Sequence, residues 1–465
     1  SRGLGDVYKR QMEENIQSKE NKMGVMPVNR LLITMSLPMV ISMLVQALYN
    51  IVDSVFVAQI NEAALTAVSM AFPIQNLMIA VAAGTGTGVN ALLSKSLGEK
   101  NKRMVDDTAN MGVFLAICSY AVFAIIGIFL SRIYFAAQIS DAQIIEYGDE
   151  YMSVICLFSF GLFGQIITER LLQATGRTIF TMFTQGIGAI INIILDPILI
   201  FGLLGLPAMG VTGAAAATVI GQIIAAILGF VCNAVYNHDI TLSIKGIFTI
   251  DTTVISKVYR VGIPSIIMQS ITSVMTFSLN KILAEFSSTA VAVFGVYYKL
   301  NSFIFMPVFG MNNGLVPILS YNYGARKPDR IKKTIKLGMK YAVAIMIFGL
   351  LLFELFPSGL LGIFDASQEM LSIGCVALRI IASSFVFAGV AIICSTVFQA
   401  IGNPLHSLIM SVCRQLLVIV PVAWLLSLSG RLELVWLAFP IAEFVSVAMS
   451  IFFMKKTIRH LDGMA

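Results

Sequence analysis

Asp53 stands in the apolar run LVQALYNIVDSVFVA and Asp196 in INIILDPILIF, and neither has a basic residue near it in sequence. A charge at the centre of a bilayer costs at least ~2.5–3.5 kcal/mol on insertion scales, so each needs a partner or a task. Aspartate is too short to reach the headgroups, which leaves both facing protein or water. Asn192 precedes Asp196 by four residues and shares its helix face, and Pro197 removes a backbone donor beside the carboxylate. Burial disfavours an ionised carboxylate, and a second one nearby disfavours it further. A pair at one depth would therefore take up a proton or a sodium ion readily. The alternative is a static pair that only packs helices.

Other charges are sorted by depth. Lys299, Arg414 and Glu443 fall ~14–16 Å from their membrane faces, near the midplane, where opposite signs at one level suggest an ion-pair network or contact with a cavity. Glu169, Arg170, Lys281, Glu285, Glu354 and Arg431 lie near expected helix ends, from which long side chains reach the headgroups. No HExxH, GxSxG or comparable nucleophile-and-base arrangement occurs, so an enzyme is not expected. The six cysteines lie in apolar runs without a CxxC, and the three histidines fall near helix ends, so neither a metal nor a cofactor is expected. Some of the 24 methionines and 31 phenylalanines should line a cavity.

These residues need a membrane around them. Of 465 residues, 57% are hydrophobic and 12% charged, which excludes an ordinary soluble fold. At ~20 residues per crossing the apolar runs make about a dozen spans. We read an all-α polytopic membrane protein of twelve helices, from 31–58 for the first to 432–457 for the last. Basic residues gather in the turns after helices 2, 4, 6 and 8 and at the C-terminal end, while the links after helices 1, 5 and 9 have none. The positive-inside rule then makes both termini cytoplasmic. The charge balance reads as topology, with the bilayer as partner and no nucleic acid. Residues 1–11 (SRGLGDVYKRQ) read as a non-native scar before Met12, within a disordered N-terminus at 1–30. Residues 31–236 read as a first lobe of helices 1–6, 237–255 as a cytoplasmic linker, 256–457 as a second lobe of helices 7–12 and 458–465 as a cytoplasmic tail.

A shift of 226 residues overlays Pro38 on Pro264, Ala64 on Ala290, Gly84 on Gly310, Gly88 on Gly314, Ser94 on Ser320 and Gly98 on Gly324, all without a gap. Because the offset spans six helices, the two bundles are pseudo-symmetric about an axis along the membrane normal, an arrangement of secondary transporters with the site between the halves. The same shift sets Leu279 opposite Asp53 and Val422 opposite Asp196, so coupling chemistry is expected in the first half alone.

Taken together, SLPMVISMLVQALYNIVDSVFVAQINEAALTAVSMAFP, LLSKSLGEKN, QATGRTIF, NIILDPILIFGLLGLPAMGVTGAAAAT and FMPVFGMNNGLVPILSYNYGARKPDRI resemble the multidrug and toxic compound extrusion (MATE) family, and within it bacterial MepA-type exporters. The resemblance covers residues 27–457. It implies a plasma-membrane antiporter, most simply a monomer, that exports cationic or amphipathic drugs in exchange for H+ or Na+ by alternating access. It also implies that Asp53, Asn192 and Asp196 are the family's coupling residues, with Thr218 a fourth member, and that Pro38 is the hinge at which helix 1 bends. The acid that some relatives carry in helix 7 is absent, since IPSIIMQSITSVMTFSLN has none. A flippase for a lipid-linked cell-envelope precursor is the alternative, kept open by Lys299 and Arg414.

Overall fold

A computed structural model describes residues 20–463, excepting Asp365 and the side chains of Ala58 and Glu62. The scar read at residues 1–11 lies outside the described residues. Among the described residues all regular structure is helical. The spans are α1 (Val28–Ala58), α2 (Glu62–Gly98), α3 (Lys102–Ala136), α4 (Ala142–Leu157 and Phe160–Ala174), α5 (Thr178–Phe201) and α6 (Gly210–Tyr236). In the second half they are α7 (Thr252–Ala284), α8 (Ser288–Gly324), α9 (Pro328–Leu355), α10 (Gln368–Ala382 and Phe385–Ala400), α11 (Pro404–Ser427) and α12 (Leu432–Asp462). Among the described residues ten helices are long and apolar enough to cross a bilayer, and counting the two bent pairs as one span each makes twelve. α4 bends by 43° and α10 by 48°, two breaks that the apolar runs do not reveal.

The repeat found in the sequence is a set of local devices used twice. Asn61 accepts from the Ala64 amide at 2.7 Å to cap α2, and Ser287 accepts from the Ala290 amide at 3.0 Å to cap α8. Left-handed backbone turns the chain at Lys100 (φ 57°) after α2 and at Arg326 (φ 52°) after α8. Ser94 donates to Ala174 O at 2.9 Å, as Ser320 does to Ala400 O at 2.7 Å. Two hydrophobic cores result, one built from α1–α7 residues such as Val89, Phe163 and Val258, the other from residues such as Leu315, Phe353 and Phe398.

The halves meet at the face that carries the basic turns. Here the repeated glycines let backbones touch: a Cβ on Gly310 would stand 2.6 Å from Val40 Cα, and one on Gly314 2.6 Å from Ser36 Oγ. Gly84 and Gly88 of α2 meet α7 in the mirrored way, at Ile266 and Val258. At the very end Gly98 lies against Tyr321 O and Gly324 against Lys95 O, with no room for a side chain at either.

Residues 20–30, read from sequence as disordered, are instead packed across this seam. Asn21 donates to Thr175 O at 2.9 Å in the first half. Arg330 donates to Met23 O at 3.0 Å and Met26 O at 2.8 Å, and Asn322 to Met23 O at 3.1 Å, in the second. Asn21 thus satisfies a backbone carbonyl of the first half, side chains of the second half satisfy the segment's own carbonyls, and Met23 is fully buried in the second core.

Candidate functional site

The first cluster forms where α1, α5 and α6 converge. Gly188 of α5 and Gly221 of α6 pack backbone to backbone, a Cβ on Gly221 standing 2.7 Å from Gly188 O. That approach brings Asn192 Nδ2 to 3.2 Å from Thr218 Oγ1, to which it donates. Gln185 Nε2 donates to Gln46 Oε1 at 3.1 Å and ties α5 to α1. One to two turns further out the carboxyl groups of Asp53 and Asp196 face each other within hydrogen-bonding reach. Asp196 is fully buried, and neither of its oxygens, nor Asp53 Oδ1, has a hydrogen-bond partner among the described residues. Ionised carboxylates only accept hydrogen bonds, so two that face each other are reconciled by a proton shared between them or by a small cation. The four residues singled out from sequence, Asp53, Asn192, Asp196 and Thr218, thus sit in one place.

Two neighbours escaped the sequence reading. Tyr49 lies one turn before Asp53, a spacing that was visible, and Tyr151 comes from α4, for which sequence holds no signal. Gln75 donates to the Tyr151 hydroxyl at 3.0 Å. Pro38 is inside α1, which runs unbroken through it, and stands beside the Met39 and Val40 backbone that Gly310 touches. Among the described residues no group of three His, Cys, Asp or Glu side chains is placed to hold a metal ion.

A cavity of about 750 Å³ lies between the halves. Tyr49, Asn192 and Thr218 belong to its wall, whereas Asp53 and Asp196 do not: the acid pair lies behind the surface that a cargo would meet. Six methionines and four phenylalanines line the cavity together with fourteen asparagines and glutamines, so apolar and hydrogen-bonding groups are interleaved along its wall.

The midplane charges divide. Arg414 Nη1 donates to Glu443 Oε1 at 2.6 Å, and both residues line the cavity. Lys299 does not join them. Tyr297, Tyr298, Asn301 and Ser302 hold the cavity face of α8, and at ~100° per residue position 299 turns away from it. Lys299 is exposed, with its ammonium 6.0 Å from the centre of the Phe364 ring. Glu169 and Arg170 also depart from expectation: neither reaches a headgroup. Both lie on the second arm of α4 and line the cavity, Glu169 accepting from Gln165 at 2.9 Å and Arg170 donating to Asn313 of α8 at 2.9 Å across the seam. We predict that Lys299→Gln leaves thermal stability unchanged, while Glu443→Gln, which leaves Arg414 without its counter-charge, lowers stability by about 3–5 kcal/mol. Equal unfolding temperatures for the two variants in detergent would contradict the assignment.

The family model MatE matches residues 38–198 and again 264–425, two stretches that start 226 residues apart. Curated relatives include the FAD transporter of Shewanella oneidensis, 26% identical over 422 residues (90% of this chain, 92% of that one). Another is the multidrug export protein MepA of Staphylococcus haemolyticus, 24% identical over 419 residues (90% and 91%). Among solved structures, one described as the outward-facing conformation of a multidrug resistance MATE family transporter superposes with a TM-score of 0.90 at 24% identity, covering 96% of this chain and 99% of that one. With a stretch of each half matched, together more than half of the chain, the chain belongs to the MatE family: it is a multi-pass membrane transporter, not an enzyme.

Proposed function

We propose that the chain is a secondary antiporter that exports small molecules across the plasma membrane in exchange for inward-moving H+ or Na+, by alternating access and as a monomer. The observation that carries this reading is the Asp53–Asp196 pair, two facing carboxyl groups set behind a cavity wall to which Tyr49, Asn192 and Thr218 belong. A cation arriving there changes charge and hydrogen bonding on the outer part of α1. Its other part forms the seam through Ser36 and Val40, so a bend at Pro38 would link cation occupancy to the contact between halves. The basic face is cytoplasmic on the positive-inside rule, with both termini on that side, which makes the closed seam an outward-open state.

For the cargo, the relatives named MepA favour amphipathic drugs, cationic ones among them, to which thioether and aromatic faces adapt. A second reading, a polar cargo such as the one named for the Shewanella relative, rests on the fourteen carboxamides of the wall. The test of antiport is dye accumulation in inverted vesicles under an imposed pH or sodium gradient. One elementary charge moving through 100 mV supplies about 2.3 kcal/mol, so one of the two gradients should drive accumulation by tens of fold. Dye movement indifferent to both gradients would rule antiport out.

A further inference from the structure

The charges that the cavity exposes differ from the charges that it contains. Besides tyrosines, four ionisable residues line it: Glu169, Arg170, Arg414 and Glu443. Both acids are turned into the protein. Glu169 is 8% exposed and bonded to Gln165, and Glu443 is 6% exposed, with one oxygen on Arg414 and the other shut away from the surface. Both arginines are less buried than these acids: the Arg414 side chain keeps 29% of its surface, and Arg170 is half-buried.

We propose that this cavity takes a cargo bearing a phosphate ester, with Arg170 and Arg414 as its guanidinium anchors, one from each half. The proposal rests on the transporter reading above and, of its two cargo readings, specifies the polar one. Arginine keeps its charge at any physiological pH, and its planar fork matches a phosphate's oxygens bidentately. Arg170 is oriented by two neutral oxygens, Gln173 Oε1 at 3.0 Å and Asn313 Oδ1 at 2.9 Å, and makes no ion pair among the described residues. Glu443 fixes Arg414 from behind and leaves its other edge to the cavity.

Both anchors are departures from the repeat. Arg170 fits because Gly86 has no side chain, a Cβ there standing 2.7 Å from Arg170 Cγ. The 226-residue shift pairs Gly86 with Asn312, Arg170 with Thr396 and Arg414 with Gly188, so neither guanidinium has a counterpart in the other half. Arg414 also lies in a π-helical turn, Cys413–Ile419, from which Arg414 and Gln415 both reach the cavity in succession. The carboxamides of the wall provide donors and acceptors for the rest of the molecule.

Riboflavin and flavin mononucleotide share one ring system and differ by a phosphate, so flavin fluorescence on the purified full chain isolates the phosphate's share of binding. The mononucleotide is expected to bind about tenfold tighter or more. Arg170→Gln should reduce that preference. So should the double variant Arg414→Gln with Glu443→Gln, which removes the ion pair as a unit and strands no buried charge. Asp53→Asn should leave the preference intact, so a failure of the exchange scheme and a failure of this assignment are told apart. Equal affinity for the two flavins, a preference that survives both arginine variants, or tighter binding of ethidium than of the mononucleotide would overturn the proposal.

Discussion

Asp53→Asn and Asp196→Asn are each expected to reduce gradient-driven accumulation of dye in inverted vesicles from tens of fold to near unity, while the protein remains folded in the membrane. Asparagine preserves the size and polarity of the side chain, so packing of α1 against α5 survives. It cannot exchange a proton and supplies no charge to a sodium ion, so one of the two facing carboxyl groups loses its function. A ligand shifts a conformational equilibrium only by its differential affinity for the two states, and each charge returning down 100 mV contributes about 2.3 kcal/mol. With the cation's grip gone, that energy no longer reaches the cargo, and a factor of roughly 50 in accumulation disappears with it. Efflux at the wild-type level in both variants, measured at equal protein abundance, would end the coupling scheme.

Gly98→Val and Gly324→Val are expected to unseat the closed face. A Cβ at either position collides with a carbonyl of the opposite half, Tyr321 O in one case and Lys95 O in the other. Backbone, unlike a flexible side-chain end, has little freedom to give way. Overpacking of this kind costs about 1–3 kcal/mol, charged here against one conformation only, which corresponds to a roughly 5- to 150-fold shift toward separation of the halves. Hydrogen exchange should rise in segments 94–100 and 320–326 and stay unchanged within the core of each bundle, with transport falling in proportion. The two variants should behave alike because the contacts are related by the repeat. Wild-type exchange in both segments would show that the seam does not hold the conformation.

The glycines of the seam also show how far the sequence could be read. Their spacing was plain: Gly84, Gly88 and Gly98 recur 226 residues later, and the offset alone implied two bundles of one orientation. Their purpose was not, because a repeat says that two positions are equivalent and nothing about what they touch. Each is pressed against a backbone of the other half, at Val40, Ser36, Ile266, Val258, Tyr321 or Lys95. The same limit hid the packing of residues 20–30, whose polar groups bond to Thr175, Asn322 and Arg330.

Depth along a helix was legible because each residue advances ~1.5 Å and apolar length is set by the bilayer. On that measure Asp53 and Asp196 come out in the outer half of the same bundle, where their carboxyl groups do face each other. Direction around a helix was not legible. In lipid both the outward and the inward faces of a span are apolar, so hydrophobic periodicity, which points to the core of a soluble helix, marks no side here. Lys299 shared a depth with Arg414 and Glu443 yet turns out of the cavity, and Glu169 and Arg170, assigned to the headgroups, line it. By itself the sequence determined a membrane-embedded, duplicated helical chain and the level of its buried acids. Only tertiary packing decided which faces look at one another, because that depends on contacts between helices far apart in the chain.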